Sequence, residues 1–303
     1  MEEQSPKKNH LSHEILSYYQ RGDEDQRLLT GFNQLELVRT QELLERFLPP
    51  PPAVVLDVGG GSGHYACWLA KKGYEVHLID PVLLHIEQAR QASKRQPEHP
   101  LASATIGDAR QLDHNDDSAD VVLLFGPLYH LTDRFDRQHA LSEAQRVLKS
   151  GGVIMVVGIS RFASALDGLD SGFIDDPQFV QIIERDLSDG QHRNPTNNPS
   201  YFTTAYFHHP FELQTEVEAV GFQRGKTLAI EGLGWVAKDF EQRWQDDERR
   251  AQLLDLIRKI EEEPSLLGMS GHIMVIAMQV ELRNSQMPDE IQTDSFPPCQ
   301  TSF

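Results

Sequence analysis

The chain has 303 residues, 28 basic against 46 acidic, for a formal net charge of −18. Such an acidic chain, with no run of Lys or Arg, lacks the basic surface that a phosphate backbone requires, so no nucleic-acid partner is expected. Cys67 and Cys299, the only two cysteines, offer neither a disulfide scaffold nor a metal-ligand spacing. No signal-peptide core and no apolar run long enough to span a bilayer is present, so no membrane partner is expected. A soluble protein of the reducing cytoplasm is the expectation.

Residues 1–10 are polar and read as disordered. A helix is expected over 11–29, with Leu11, Ile15, Leu16 and Tyr19 on one side. Asn33 and Glu36 are spaced as a capping box for a second helix, which the Pro49–Pro52 run ends. Alternation follows: strands at 54–58, 75–79, 102–106, 121–125 and 153–159, with helices at 64–72, 82–94 and 133–149. Gly73 stops the first of these helices and Asp133 caps the last. Strands alternating with helices give right-handed crossovers and a parallel sheet with helices on both faces. Continuous apolar runs such as VVLLF suit strands buried on both sides. Residues 161–210 read as a long, aromatic-rich loop, too apolar for disorder and therefore a cap over a pocket. Beyond it the pattern gives a helix at 211–222, a strand at 226–230, a helix at 238–262 and a strong strand at 272–280. The tail 284–303 reads as disordered. One domain over 11–283 is expected, with 161–210 as its cap insertion.

The first crossover carries chemistry. VLDVGGGSG places glycines at 59, 60, 61 and 63 directly before a helix, where bare backbone can approach a ligand. A dinucleotide fingerprint would need a glycine at position 64, which is His64. The nucleotide triphosphate loop ending in G-K-[ST] is also absent. Asp57 precedes the loop by two residues, and Asp80 closes the next strand.

VLDVGGGSG resembles the first motif of the class I S-adenosylmethionine (SAM)-dependent methyltransferases. Asp80, GDARQLD (Gly107 to Asp113), DVVLLFGPLYHL and EAQRVLKSGGVIMVV stand where the later motifs follow. Within that superfamily the likeness is to small-molecule enzymes of the ubiquinone/menaquinone-biosynthesis type. It implies a Rossmann-like seven-stranded α/β sheet with a reversed final strand, and methyl transfer from SAM that leaves S-adenosylhomocysteine. Gly59, Gly61, Gly63 and Asp57 would then serve the cofactor. Asp80 would bind the ribose hydroxyls, Asp108 with Ala109 the adenine, and Gly126 would lie near the methyl group.

The residues themselves add candidates. Arg39, on the helix before the sheet, is read either as a partner for the cofactor carboxylate or as a solvated helix-face charge. His130 and Tyr129 follow the fourth strand, at the mouth of the site. His is the usual base near neutral pH for a hydroxyl or carbon acid, so these two are the catalytic candidates. Arg161, Tyr206 and His208 belong to the expected cap and are the substrate candidates. No metal is expected, because no H-x-x-x-H or cysteine cluster accompanies them. GPLY replaces the NPPY of amino-group methylation, which favours a small-molecule acceptor over nucleic acid or protein glutamine. The readings kept beside this one are a SAM-binding module without catalysis and a methyltransferase acting on RNA or protein.

Overall fold

The computed structural model describes residues 11–196 and 198–280; the expected disordered ends, 1–10 and 284–303, and Cys299 lie outside them. The chain begins with α1 (His13–Tyr19), capped by Ser12, and α2 (Glu24–Arg27). The single helix expected over 11–29 is broken at Gly22, whose φ of 79° takes the chain out of the helix. α3 (Asn33–Phe47) starts one residue earlier than the capping-box spacing implies: Phe32 is the N-cap, and no side chain caps it. Glu36 turns instead to Arg27, at 2.6 Å and 3.0 Å.

Next come β1 (Val54–Val58), α4 (His64–Lys71), β2 (Glu75–Asp80), α5 (Leu83–Lys94), β3 (Ser103–Ile106) and β4 (Ala119–Leu124). The one-turn α6 (Pro127–His130) leads to α7 (Arg134–Val147), capped by Asp133 as expected, and to β5 (Leu148–Ile159). The segment after β5 is more regular than the aromatic loop expected. It holds α8 (Ala163–Asp170), α9 (Pro177–Asp189) and a short hairpin, β6 (Gln191–His192) with β7 (Ala205–Tyr206). Asp176 caps α9 and Pro177 occupies its first turn, while Phe179 and Ile182 are buried at helical spacing. The remainder is α10 (Pro210–Ala219), β8 (Gln223–Ala229), α11 (Phe240–Gln245), α12 (Asp247–Ile260) and β9 (His272–Met278). The helix expected over 238–262 is divided at Asp246, whose extended backbone ends α11 and whose side chain caps α12.

Seven of these nine strands form one sheet in the order β3-β2-β1-β4-β5-β9-β8. The first five are parallel, and β9 runs antiparallel to both its neighbours. Alternate residues of each strand feed two cores. Leu56, Val58, Val122, Leu124, Ile154 and Val156 pack against α7 and α10. Val55, Val76, Leu78, Val121, Leu123 and Met155 pack against α3, α4 and α5. Burial on both faces explains why the strands read as unbroken apolar runs. The strand order turns back between β1 and β4, and at such a switch point a crevice opens at the carboxyl ends of the strands.

Candidate cofactor and acceptor site

The loop after β1 is held at its first residue, where Gly59 N–H donates to the Ile79 carbonyl at 2.7 Å. Gly59 has a φ of 75°, and a Cβ there would lie 2.6 Å from the Pro127 ring. The Gly59 and Gly126 turns are therefore pressed together by the absence of side chains, as Gly126 shows from its side by facing Gly59 O. Gly61 has a φ of 56°, and a Cβ there would meet nothing within 4 Å. It borders open cleft. Gly63 packs on Ala89 of α5 and N-caps α4.

One part of the cleft, of about 720 Å³, lies over β1 and β2 and is lined by Gly59, Gly61, Asp80, Val82, His85, Asp108, Ala109 and Gly126. Asp80 forms its floor. Its Oδ2 accepts from Gly61 N–H at 3.0 Å, and its Oδ1 from Val82 N–H at 2.8 Å. His85 Nδ1 stands 3.1 Å from Oδ1. Asp108 is gripped by Arg110, at 2.7 Å and 3.0 Å.

A second part, of about 570 Å³, lies beyond the glycine loop, among Arg27, Glu36, Thr40, Asp57, Gly61, Ser62 and Tyr65. Asp57 is fully buried there, and neither carboxylate oxygen has a hydrogen-bond partner. Burial, reinforced by the charge of Asp80, lifts its carboxyl to about 7. A buried acid without a donor is costly, and a cationic ligand group beside it would relieve that cost.

The third part, of about 1140 Å³, is walled by aromatic rings, among them Tyr18, Phe32, Phe179, Phe202, Phe207 and Trp235. Tyr129 and Glu24 border all three parts. At the edge of this cavity His272, the first residue of β9, pairs through Nδ1 with Glu231 Oε1 at 2.6 Å. Glu231 is itself fixed by Ser270 Oγ at 2.7 Å and His272 N–H at 2.9 Å. Burial pushes the imidazole down, but Glu36 and Glu231 outweigh it and raise His272 to about 9. The donor atoms of Glu36, Glu231 and His272 lie within 4.8 Å of one another, and Arg27 supplies the fixed positive charge beside them.

The expected site residues fall into two groups. Asp57, Gly59, Gly61, Asp80, Asp108, Ala109, Gly126, Tyr129 and His130 come together on the cleft, and Gly63 opens the helix behind the loop. His130 Nε2 is 2.6 Å from the Tyr19 hydroxyl, and burial lowers its pKa to about 4, so the ring is neutral and accepts that proton. Burial raises the Tyr129 phenol far above its ordinary range.

The other four are elsewhere. Arg39 is fully buried and donates to Glu42, Glu261 and the Ile230 carbonyl. It ties α3 to the end of α12 and does not line the cleft. Arg161 is taken up by Glu212 at 2.7 Å and lies 3.3 Å from the Tyr206 hydroxyl. The Tyr206 ring lies under Arg137, whose guanidinium carbon is 3.8 Å from its centroid. His208 is fully buried, with Nε2 3.4 Å from Glu216 Oε2. These three, expected as substrate residues, form the seam between α7, α10 and β5 and line none of the three parts of the cleft. Arg27, Tyr19, His85, Glu231 and His272 line the cleft without having been expected. Only His85, five residues after Asp80, had a local signal.

Comparison with known proteins agrees with this geometry. Residues 56–156, which hold the loop, Asp80, Asp108 and the α6 turn, match the methyltransferase domain family. The chain has the fold of the class I SAM-dependent methyltransferases, and that family's methyl donor is SAM. It is 32% identical over 121 residues to the methyltransferase GfsG of Streptomyces halstedii, covering 40% of this chain and 42% of that one. It is 28% identical over 184 residues to the SAM-dependent Diels–Alderase iccD of Talaromyces variabilis, covering 50% and 62%. The match to the ubiquinone/menaquinone biosynthesis C-methyltransferase UbiE of a Ruegeria species is 28% over 157 residues, covering 50% and 61%. The chain thus spans about half the length of these relatives. A solved SAM-dependent methyltransferase structure from Thermotoga maritima has the same fold, with a TM-score of 0.54 at 16% identity, over 88% of this chain and 99% of that one. Among the described residues, no helix is long and apolar enough to cross a membrane.

The residues fit that cofactor. The orphaned Asp57 suits an ammonium, the Asp80 carboxylate a ribose hydroxyl, and the side-chain-free Gly61 edge lets the ligand pass between the two.

Proposed function

We propose that the protein transfers the methyl group of SAM to a small, largely apolar organic molecule. The observation that carries this reading is the meeting of the three parts of the cleft at Tyr129. When bound, SAM would supply an electrophilic methyl group to the acceptor. Asp80 and Asp108 hold the nucleoside, and Asp57 holds the ammonium. Arg27, which reaches the second part from α2, takes the role expected of Arg39 and faces the carboxylate. α1 and α2 act as a lid, and segment 161–210 caps the acceptor, so that water is kept from the reacting atoms.

Aromatic walls favour a flat, apolar acceptor, in line with the hydroquinone in the name of one relative and the ubiquinone/menaquinone biosynthesis in that of another. When the acceptor atom is a hydroxyl, its proton needs a base. His130 is already committed to the Tyr19 hydroxyl. His272 lines the acceptor cavity, and its Nδ1 is oriented by a buried glutamate, the arrangement of a general base. Its neutral form would take the hydroxyl proton as the acceptor oxygen–methyl bond forms and the methyl–sulfur bond of SAM breaks, releasing S-adenosylhomocysteine. Because His272 is raised to about 9, turnover rises about tenfold per pH unit below that value and levels above it.

The test is transfer of labelled methyl from SAM to a panel of hydroquinones, naphthols and aliphatic amines. Expected is a labelled product from the aromatic hydroxyl acceptors, with His272→Gln slower by about 100-fold and His130→Gln by less than tenfold. SAM binding without transfer to any acceptor would overturn the reading. It would favour the second one, in which SAM is held but not consumed, which the likeness to the Diels–Alderase iccD supports.

A further inference from the structure

The nucleoside part of the cleft has an arithmetic problem. A ribose presents two vicinal hydroxyl donors, and an ionised carboxylate offers about four lone-pair sites. Three of those sites on Asp80 are already used. Oδ1 accepts from Val82 N–H at 2.8 Å and faces His85 Nδ1 at 3.1 Å, while Oδ2 accepts from Gly61 N–H at 3.0 Å. One site remains, on Oδ2, for two hydroxyls.

The missing acceptor stands beside it. His85 is 3% exposed, lines the same part of the cleft, and its Nε2 is buried without a hydrogen-bond partner. Its Nδ1 must carry the hydrogen, because the atom it faces is a carboxylate oxygen that can only accept. In a neutral imidazole that leaves Nε2 as an acceptor with a free lone pair. The ring cannot turn to evade this role. It is tied to Asp80 on one side, and Tyr19 of α1 stands edge-on to it with ring centroids 5.2 Å apart.

Resting on the proposed SAM site, we infer that His85 is a cofactor-binding residue: one ribose hydroxyl donates to Asp80 Oδ2 and its neighbour donates to His85 Nε2. Asp80 then has two tasks, as acceptor and as the group that fixes the tautomer of the second acceptor. A cofactor lacking one hydroxyl leaves Nε2 buried and unpaired, so the pair of residues discriminates ribose from deoxyribose.

The test is calorimetric titration of the full chain with S-adenosylhomocysteine and with its 2′-deoxy and 3′-deoxy analogues. Wild type, His85→Phe and His85→Gln are compared, with circular dichroism as the check on folding. His85→Phe is expected to weaken S-adenosylhomocysteine about tenfold. The glutamine, whose amide can donate to Asp80 and accept from the hydroxyl, is expected to restore most of that loss. One deoxy analogue, lacking the hydroxyl that His85 accepts, should bind wild type and His85→Phe within about twofold of each other. Equal affinity of wild type and His85→Phe for S-adenosylhomocysteine would overturn the inference. So would an equal loss for all three ligands, which marks a role through Asp80 alone. Should the folded phenylalanine variant prove unobtainable, failure of the glutamine variant to keep the ribose preference overturns it. Failure of the underlying reading is separate, because it appears as no binding of S-adenosylhomocysteine by wild type.

Discussion

Asp57 is the residue whose chemistry is least settled within the protein and most readily settled by a ligand. Its carboxyl is raised to about 7 by burial and by Asp80. The unfolded chain loses this proton near 3.8 while the folded one keeps it to about 7, so the group costs stability progressively between those values. A cationic ligand group prefers the ionised form. SAM affinity is therefore expected to rise with pH up to about 7 and then level, and Asp57→Asn should flatten that profile. Calorimetry between pH 5.5 and 8 reads both. Asp80 belongs to the same scale. Its replacement by alanine removes an acceptor and frees His85, and cofactor affinity should fall about 100-fold. Both acids were legible in the sequence because their meaning is local: each stands at the end of a strand, at fixed distance from the glycines. Arg39 and His208 were not legible. What claims Arg39 is Glu261, 222 positions away, and what claims His208 is Glu216, one helix face onward. No local pattern tells a long-range ion pair from a ligand contact.

At the scale of elements, the seam beside the site is held by one buried pair. Arg137 of α7 meets Glu216 of α10 at 2.7 Å and 2.8 Å, with both side chains 2% exposed. Arg137 also donates to the Leu131 and Thr132 carbonyls, which fixes the exit of α6. Breaking such a pair leaves an uncompensated charge, so Glu216→Ala should cost about 3 to 5 kcal/mol of stability by denaturant titration. Cofactor affinity of the folded fraction should stay within about twofold, because no member of the seam lines the cleft. The strands and the first crossovers were readable from apolar runs and caps. The segment after β5 was not, because the prolines, asparagines and glycines around α9 mask its helical period. Its Asp176–Pro177 start was the available signal. The break of the N-terminal helix turns on Gly22 alone.

Across the whole molecule, β9 lies between β5 and β8 in the sheet and its first residue borders the aromatic cavity, so the proposed chemistry and stability meet at His272. Its folded value of about 9 lies above the ordinary 6.5. The protonated ring's hydrogen bond to Glu231 and its charge contact with Glu36, 3.8 Å away, contribute fully below 6.5, and that contribution is lost as pH rises through about 9. Melting temperature should fall over that interval in the wild type and less so in His272→Gln, while turnover, if His272 is the base, rises over the same interval. The parallel crossovers follow from periodicity, while the reversed final strand and the cofactor roles come from the family resemblance that the glycine motif carries. The aromatic cavity is assembled from α1, α2, the segment after β5, and the start of β9, and no spacing in the chain brings those together. The central claim is that the crevice at the ends of β1 and β2 holds SAM. Calorimetric titration of SAM into the wild type and Asp80→Ala tests it most directly. The account predicts one site per chain in the wild type and a loss of about 100-fold in the variant; well-folded wild-type protein, stripped of any bound nucleoside, that takes up no SAM would contradict it.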